Sequence, residues 1–388
     1  MKVYLDNSAT SWPKPPAVVA AISDYLTNYG ASPGRSGHEF SIKAAREVFE
    51  TRELISDFFN LQNSEQVVFS ANATHALNIA IKGILKKGDH VIITHMEHNS
   101  VRRPLSFLQT SESIELSIID CDLQGNINIE QLKSSFKPNT KLVISIHGSN
   151  ASGTIMPIGA IGEICKSKGV LFLVDAAQTA GFVPIDMQQQ NIDILAFTGH
   201  KKLYGPPGIG GLCINTKAKI ETLIHGGTGS KSEIDSHPEF YPDCLEAGTI
   251  NTVGVVGLKS GIQYVLGKGI ESIQTDLTRL TNLFIDGVKN IEGLTIYGPK
   301  QGELRLPLVS LNIENITSSQ IATLLDKNYG IMVRAGLHCS PLAHKSIGSF
   351  PQGTVRFSFG CFTTDNHVKQ AITALKEIAA NEKLRDKN

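Results

Sequence analysis

Seven short apolar runs, at residues 66–70, 90–94, 115–119, 142–147, 171–174, 194–197 and 211–214, are separated by longer stretches with a different period. This alternation restricts the chain to few architectures. The runs are strand-length, and several are rich in Val, Ile and Leu, as strands covered on both faces must be. Stretches between them, such as 74–85 and 158–168, repeat their apolar residues at three and four, the period of a helix with one buried side. Helices that cross over between strands predict an α/β fold around a mainly parallel seven-stranded sheet.

After Gly248 the pattern changes. Residues 255–266 and 270–290 read as helices, and 308–313 and 355–359 as strands, which predicts a smaller α+β C-terminal domain. With 388 residues the chain exceeds the usual size of one core. The expected division is a large domain at 16–254 and a small one formed by 1–15 and 255–388. Only the tail at 383–388 reads as disordered, and no repeat or heptad run is present. Lys plus Arg and Asp plus Glu number 36 each, so no net field favours nucleic acid or an anionic membrane. The first residues carry no basic stretch leading into a long apolar one, and no run reaches a membrane-spanning length. A cytoplasmic protein is expected. Six cysteines (121, 165, 213, 244, 339 and 361) are scattered without the close pairing of a metal or dithiol motif, so they read as reduced thiols and no metal is expected.

In a sheet of this kind, sites form where strands end and loops lead into helices. Asp175 stands at such an end, in Val174-Asp-Ala-Ala-Gln, and Lys201 follows the next strand in Phe197-Thr-Gly-His-Lys-Lys-Leu-Tyr-Gly-Pro-Pro-Gly. An amine that can bind an aldehyde covalently and a carboxylate that can keep a pyridine nitrogen protonated are what pyridoxal phosphate requires. Ser70-Ala-Asn-Ala-Thr-His follows a strand and opens a helix, where backbone N–H groups and the Thr74 hydroxyl can hold a phosphate. An ordinary helix cap would look the same.

Taken in order, Tyr4-Leu-Asp-Asn, Ala73-Thr-His, Met96-Glu-His-Asn, Ser149-Asn-Ala-Ser-Gly, Val174-Asp-Ala-Ala-Gln, Gly199-His-Lys, Glu246-Ala-Gly-Thr, Arg334-Ala-Gly-Leu-His-Cys and Val355-Arg-Phe-Ser span nearly the whole chain. This series resembles the cysteine desulfurase and selenocysteine lyase group of class V aminotransferases, which are fold-type I pyridoxal phosphate enzymes. The resemblance implies a role for each matching residue. His98 would stack on the cofactor ring, Asp175 would pair with its nitrogen, and Gln178 and Asn150 would reach its hydroxyl side. Ala73, Thr74, Thr198 and His200 would bind the phosphate, and Lys201 would carry the cofactor. Thr249 would reach the phosphate of the other subunit, which implies a homodimer. Arg356 would clamp the substrate carboxylate, with Arg334 and Asn150 nearby.

Cys339 points to the reaction. Removing sulfur from cysteine needs a thiolate to attack the substrate sulfur, and Cys339 lies in a polar Gly-Leu-His-Cys-Ser-Pro loop between the two arginines. The expected activity is conversion of L-cysteine to L-alanine with a persulfide left on Cys339 for a sulfur-acceptor protein. Alternatives are a selenocysteine lyase acting on L-selenocysteine, a class V aminotransferase, a carbon–carbon lyase, and a catalytically silent sulfur-relay protein. The short span from Ser340 to Val355 resembles the branch with a compact catalytic loop. Lys202 departs from the commoner pattern, in which His-Lys runs directly into Leu-Tyr-Gly-Pro, and is expected to be a solvated insertion. Cys244 and Cys361 are unexpected thiols, each readable as a second sulfur acceptor or as packing.

Overall fold

The computed structural model describes residues 2–34, 37–215 and 219–381. The chain opens with strand β1 (Val3–Tyr4) and helices α1 (Pro16–Asp24) and α2 (Glu39–Phe59). There follow β2 (Val67–Ser70), α3 (Ala73–Ile84), β3 (His90–Thr94), α4 (Asn99–Ser111), β4 (Glu115–Ile119), α5 (Ile129–Ser134), β5 (Thr140–Ile146), α6 (Ile158–Lys168), β6 (Leu171–Asp175), β7 (Ile194–Thr198) and β8 (Gly210–Ile214). The remainder comprises α7 (Thr252–Lys268), α8 (Ile270–Val288), β9 (Leu294–Tyr297), β10 (Leu308–Ile313), α9 (Ser318–Tyr329), β11 (Ile331–Met332), β12 (Arg334–Gly336), α10 (Pro341–Ser346), β13 (Thr354–Ser358) and α11 (Asp365–Ala380).

A seven-stranded sheet runs in the order β2-β8-β7-β6-β5-β3-β4. Strands β3 to β7 pair in parallel, whereas β8 is antiparallel to both of its neighbours. The loop from β7 to β8 carries no helix, and only an antiparallel strand can follow without a crossover. Strands β2, β3, β7 and β8 are buried along their whole length, which is why they read as continuous apolar runs. Apolar clusters cover both faces of the sheet, one including Phe172, Val174 and Phe197 and the other Leu173, Ile194 and Leu212.

A second, antiparallel sheet in the order β12-β13-β10-β9 has its own apolar cluster, with Phe284, Leu311 and Phe357. The first residues join this part of the chain: β1 pairs in parallel with β11, and Ser358 N–H donates to the Leu5 carbonyl at 2.7 Å. Helix α7 begins at Thr252, so the boundary expected after residue 254 falls in its first turn. Its Val255, Leu258 and Ile262 pack against the large sheet, and Val265 belongs to the second cluster.

Most expected elements lie within a few residues of those observed. Helices α1 and α2 lie outside the segments that the sequence pattern marked. In α2 the buried side holds Ser41, Ala44, Thr51, Arg52 and Ser56 beside Val48, Ile55 and Phe59, while Phe40, Ile42 and Phe49 face outwards. That inversion weakens the periodic signal. The tail expected to be disordered, 383–388, lies outside the described residues. Among the described residues no helix is long and apolar enough to cross a membrane, and no cluster of His, Cys, Asp and Glu is placed to hold a metal.

Candidate active site

The carboxyl ends of the sheet strands open into a cavity of about 400 Å³. Nine residues singled out from the sequence line it: Ala73, Thr74, His98, Asn150, Asp175, Gln178, Thr198, His200 and Lys201. Each arrives from a strand end, a helix start or the loop that follows a strand. Asn72 caps α3 by accepting from the His75 N–H at 3.0 Å, which holds Ala73 and Thr74 in the first turn. Thr74 Oγ1 meets Ser100 Oγ at 2.6 Å, tying the start of α3 to that of α4. His98 caps α4, its Nδ1 accepting from the Ser100 N–H at 3.1 Å, so a neutral ring carries its proton on Nε2. Burial, and then the charges of Lys201, Arg334, Arg103 and Arg356, push this imidazole down to about 4, so it is neutral at pH 7.

Asp175 is the last residue of β6 and is 3% exposed. Its Oδ1 accepts from the Ala177 N–H at 2.9 Å. Burial raises its carboxyl above the ordinary range, against the pull of that N–H and of Lys201. A buried acid of this kind calls for a cation. Two other groups on the cavity wall are buried without a hydrogen-bond partner, Thr198 Oγ1 and Gln178 Oε1. Unpaired buried oxygens around a polar cavity fit a polar ligand that completes them, as pyridoxal phosphate would.

The two adjacent lysines part company. Lys201 lines the cavity, where burial brings its ammonium down to about 8. Lys202 was expected in solvent, and this is corrected: it is 7% exposed and points inwards, with its Nζ 5.9 Å from the centre of the Phe182 ring. Burial, and then the charges of Lys201 and Arg356, push it down to about 7. A turn follows Lys201 and seats the Lys202 carbonyl against Gly181. A Cβ at Gly181, where φ is +90°, would lie 2.3 Å from that oxygen.

Arg356, on β13, is 1% exposed and does not line the cavity itself. Its Nη1 donates to the Asn150 carbonyl at 3.0 Å and its Nη2 to Asp6 Oδ1 at 2.9 Å. Nε has no partner. Arg334 sits directly across from it in the β12–β13 register. The side chain of Asn150 ties down both neighbours of Cys339: Nδ2 donates to the His338 carbonyl at 2.5 Å, and Oδ1 accepts from Ser340 Oγ at 2.7 Å. Cys339 is exposed, and both it and His338 adopt left-handed backbone, at φ +60° and +48°. Arg334 Nη2 lies 3.7 Å from Cys339 Sγ. Cys339 opens into a groove that adjoins the cavity and shares Thr74, His98 and Ser100 with it.

Thr249 does not line the Lys201 cavity of its own chain. It is exposed on a separate cleft with Ser70, Ala71 and His75. Cys244 is buried in an apolar cluster, and burial pushes its thiol up to about 11. Cys361 lies on another cavity, with Lys268 and Asp276. Neither shares the groove of Cys339.

Sequence reasoning assigned no role to Glu97, although its motif was in view. Glu97 is fully buried, its Oε1 accepting from the Ile146 N–H at 2.9 Å and the Thr94 hydroxyl at 2.7 Å. Ile146 is the register partner of Asp175, so Glu97 pins the residue before His98 to the strand beside the acid. Glu246 was seen only as part of a motif. It forms a paired contact with Arg52, Nη1 to Oε1 at 2.8 Å and Nη2 to Oε2 at 2.6 Å, which anchors the segment leading to Thr249.

The fold and this cavity define a class of proteins, and the chain belongs to it: the aminotransferase class-V family, whose model matches residues 3–371. Its relatives are more particular. A probable cysteine desulfurase of Methanothermobacter thermautotrophicus is 34% identical over 383 residues, covering 97% of this chain and 94% of the relative. Cysteine desulfurase IscS of Clostridium botulinum is 32% identical, covering 97% and 94%. Among solved structures, the apo cysteine desulfurase of Thermococcus onnurineus NA1 superposes with a TM-score of 0.90 at 32% identity, covering 97% of this chain and 94% of that one. The cysteine desulfurase CsdA of Escherichia coli gives 0.87 at 25% identity, covering 97% and 94%.

Proposed function

We propose that the chain is a pyridoxal-phosphate-dependent cysteine desulfurase that converts L-cysteine to L-alanine and leaves a persulfide on Cys339. One observation carries the reading: an exposed cysteine opens beside the cavity that gathers Lys201, Asp175 and His98, with a shared wall between them. When bound, the cofactor supplies an electron sink that stabilises negative charge at the substrate Cα. Lys201 would hold the cofactor aldehyde, Asp175 the pyridine nitrogen, and His98 one face of the ring. Ala73, Thr74, Thr198 and His200 would hold the phosphate, and Gln178 and Asn150 the hydroxyl side.

Arg356 would clamp the substrate carboxylate: it stands behind Asn150, which lines the cavity, and keeps N–H donors that its contacts with Asn150 and Asp6 leave unused, Nε among them, with Arg334 across the strand pair. The Lys201 amine, lowered to about 8, moves the Cα proton at neutral pH. The Cys339 thiolate attacks the substrate sulfur. The carbon–sulfur bond breaks, its electron pair stays with the substrate carbon and takes up a proton, and the sulfur remains on Cys339.

The same proposal includes a cytoplasmic homodimer. Thr249 does not line its own cavity, and Ile42 and Phe49 expose an apolar side of α2 that a second copy would cover. It also includes the division into 16–254 and 1–15 with 255–388, supported by the separate apolar cluster of the second sheet. Incubation with L-cysteine and with L-selenocysteine, measuring alanine with sulfide or selenide, tests the activity. Alanine from selenocysteine alone would favour the lyase reading, and alanine from neither would remove both.

A further inference from the structure

The groove that holds Cys339 differs in character from the cavity behind it. It lies along α3 and α4 with a volume of about 390 Å³, and its outer part is formed by Lys82, Arg103 and Phe107. Arg103 and Phe107 are exposed, and the Lys82 ammonium stands 5.2 Å from the centre of the Phe107 ring. No acidic side chain lines the groove, and among the described residues neither cation forms an ion pair. Arg334 adds a third cation at the thiol. This local excess belongs to a chain whose charges sum to zero. Of the six cysteines, Cys339 alone is exposed.

We propose that this groove docks the protein that takes sulfur from Cys339, and that it selects an acidic segment: a cysteine flanked by Asp or Glu, with an apolar side chain seated on Phe107. The inference rests on the reading of Cys339 as the persulfide carrier. The groove admits a few side chains at a time, so it suits a protruding segment and not a flat surface. In the transfer the acceptor thiolate attacks the outer sulfur of the Cys339 persulfide. The sulfur–sulfur bond breaks, Cys339 leaves as a thiolate, and the acceptor carries the persulfide, with no oxidant or reductant consumed. Cations at the mouth bring an acidic segment in and hold it, an effect that salt weakens.

The test uses the full-length holoenzyme charged with L-cysteine and two end-blocked peptides, each with one cysteine and one leucine, flanked by aspartates or by lysines. Sulfur transfer is followed by mass spectrometry. The aspartate peptide is expected to react about tenfold faster at low salt, the gap closing as salt is added. Joint replacement Lys82→Glu and Arg103→Glu should reverse the order, and the milder Lys82→Gln and Arg103→Gln pair, which leaves Arg334 in place, should narrow it. Alanine formation with dithiothreitol as a neutral acceptor reports the basal reaction separately. If that reaction is absent in the wild type, the desulfurase reading fails and takes the proposal with it. If it is normal while both peptides react equally, or a small neutral thiol outruns the aspartate peptide, the docking proposal alone is overturned.

Discussion

Arg356 and Asp6 join the end of the chain to its beginning, Nη2 donating to Oδ1 at 2.9 Å across 350 residues. The arginine is almost wholly enclosed, while the aspartate keeps a fifth of its side chain in contact with solvent. Replacing the acid therefore strands a buried cation. Asp6→Ala should lower stability by about 3 kcal/mol, read as a fall in Tm, because the penalty of an unpaired buried charge is only partly relieved by the Asn150 carbonyl. The same variant should raise KM for L-cysteine, since Arg356 loses the contact that fixes its orientation. An unchanged Tm would show that the pair contributes nothing to the fold.

Lys201→Ala should lose the visible absorbance of bound cofactor, and Lys202→Met should keep it. The second variant also tests burial. Lys202 has its folded-state pKa brought down to about 7 from 10.5, so between those values the unfolded chain binds the extra proton and stability rises with pH. The destabilisation is complete below pH 7 and gone above 10.5. Lys202→Met should accordingly melt higher than wild type at pH 6, with the difference shrinking towards pH 10. Equal differences at both ends would place Lys202 in solvent.

For Glu97 the sign is opposite in pH. Burial raises its carboxyl to about 8 from 4.5, so the folded state keeps a proton that the unfolded chain has lost, and stability falls as pH rises through that window. Glu97→Gln keeps an acceptor for the Ile146 N–H and the Thr94 hydroxyl and cannot ionise. It should retain the cofactor, and its Tm relative to wild type should rise from pH 4 to pH 8. Glu97→Ala leaves both donors unpaired at about 1–3 kcal/mol each and should loosen His98. Cofactor retention by the alanine variant equal to that of the glutamine variant would deny Glu97 this positioning role.

Cys339→Ser removes the nucleophile without touching the cavity that holds Lys201 and Asp175. Cofactor absorbance should persist, while persulfide and alanine from L-cysteine do not accumulate. Turnover of L-selenocysteine should survive in part, since selenium leaves more readily than sulfur. Brief exposure of the wild type to cysteine should place the added sulfur on the peptide containing Cys339. Sulfur found only on Cys244 or Cys361 would contradict the separation of those thiols from the groove.

Much of the site was legible because strand ends announce themselves. Asp175 and Thr198 close apolar runs, and Ala73, His98 and Lys201 follow such runs, so parallel strands deliver them to one edge of the sheet. Glu97 was not legible as a role. A glutamate beside a candidate ring-stacking histidine has the same appearance whether it faces water or the Ile146 N–H. Helix α2 was hidden for a related reason, since Arg52 is buried against Glu246 while Phe49 is exposed, the reverse of what hydropathy leads one to expect.

Sequence alone determined the mainly parallel sheet, the ordered set of candidate site residues and a cysteine in a polar loop, because these depend on local period and on residue chemistry. Tertiary structure decided where each side chain points. Only packing sends Lys202 inwards while Lys201 reaches the cavity, places Asp6 on Arg356, and lets Asn150 grip both neighbours of Cys339. Those contacts join residues as far as 350 positions apart, and no local pattern encodes them; they exist because burying a charge or a polar group is costly until a partner from elsewhere in the chain satisfies it.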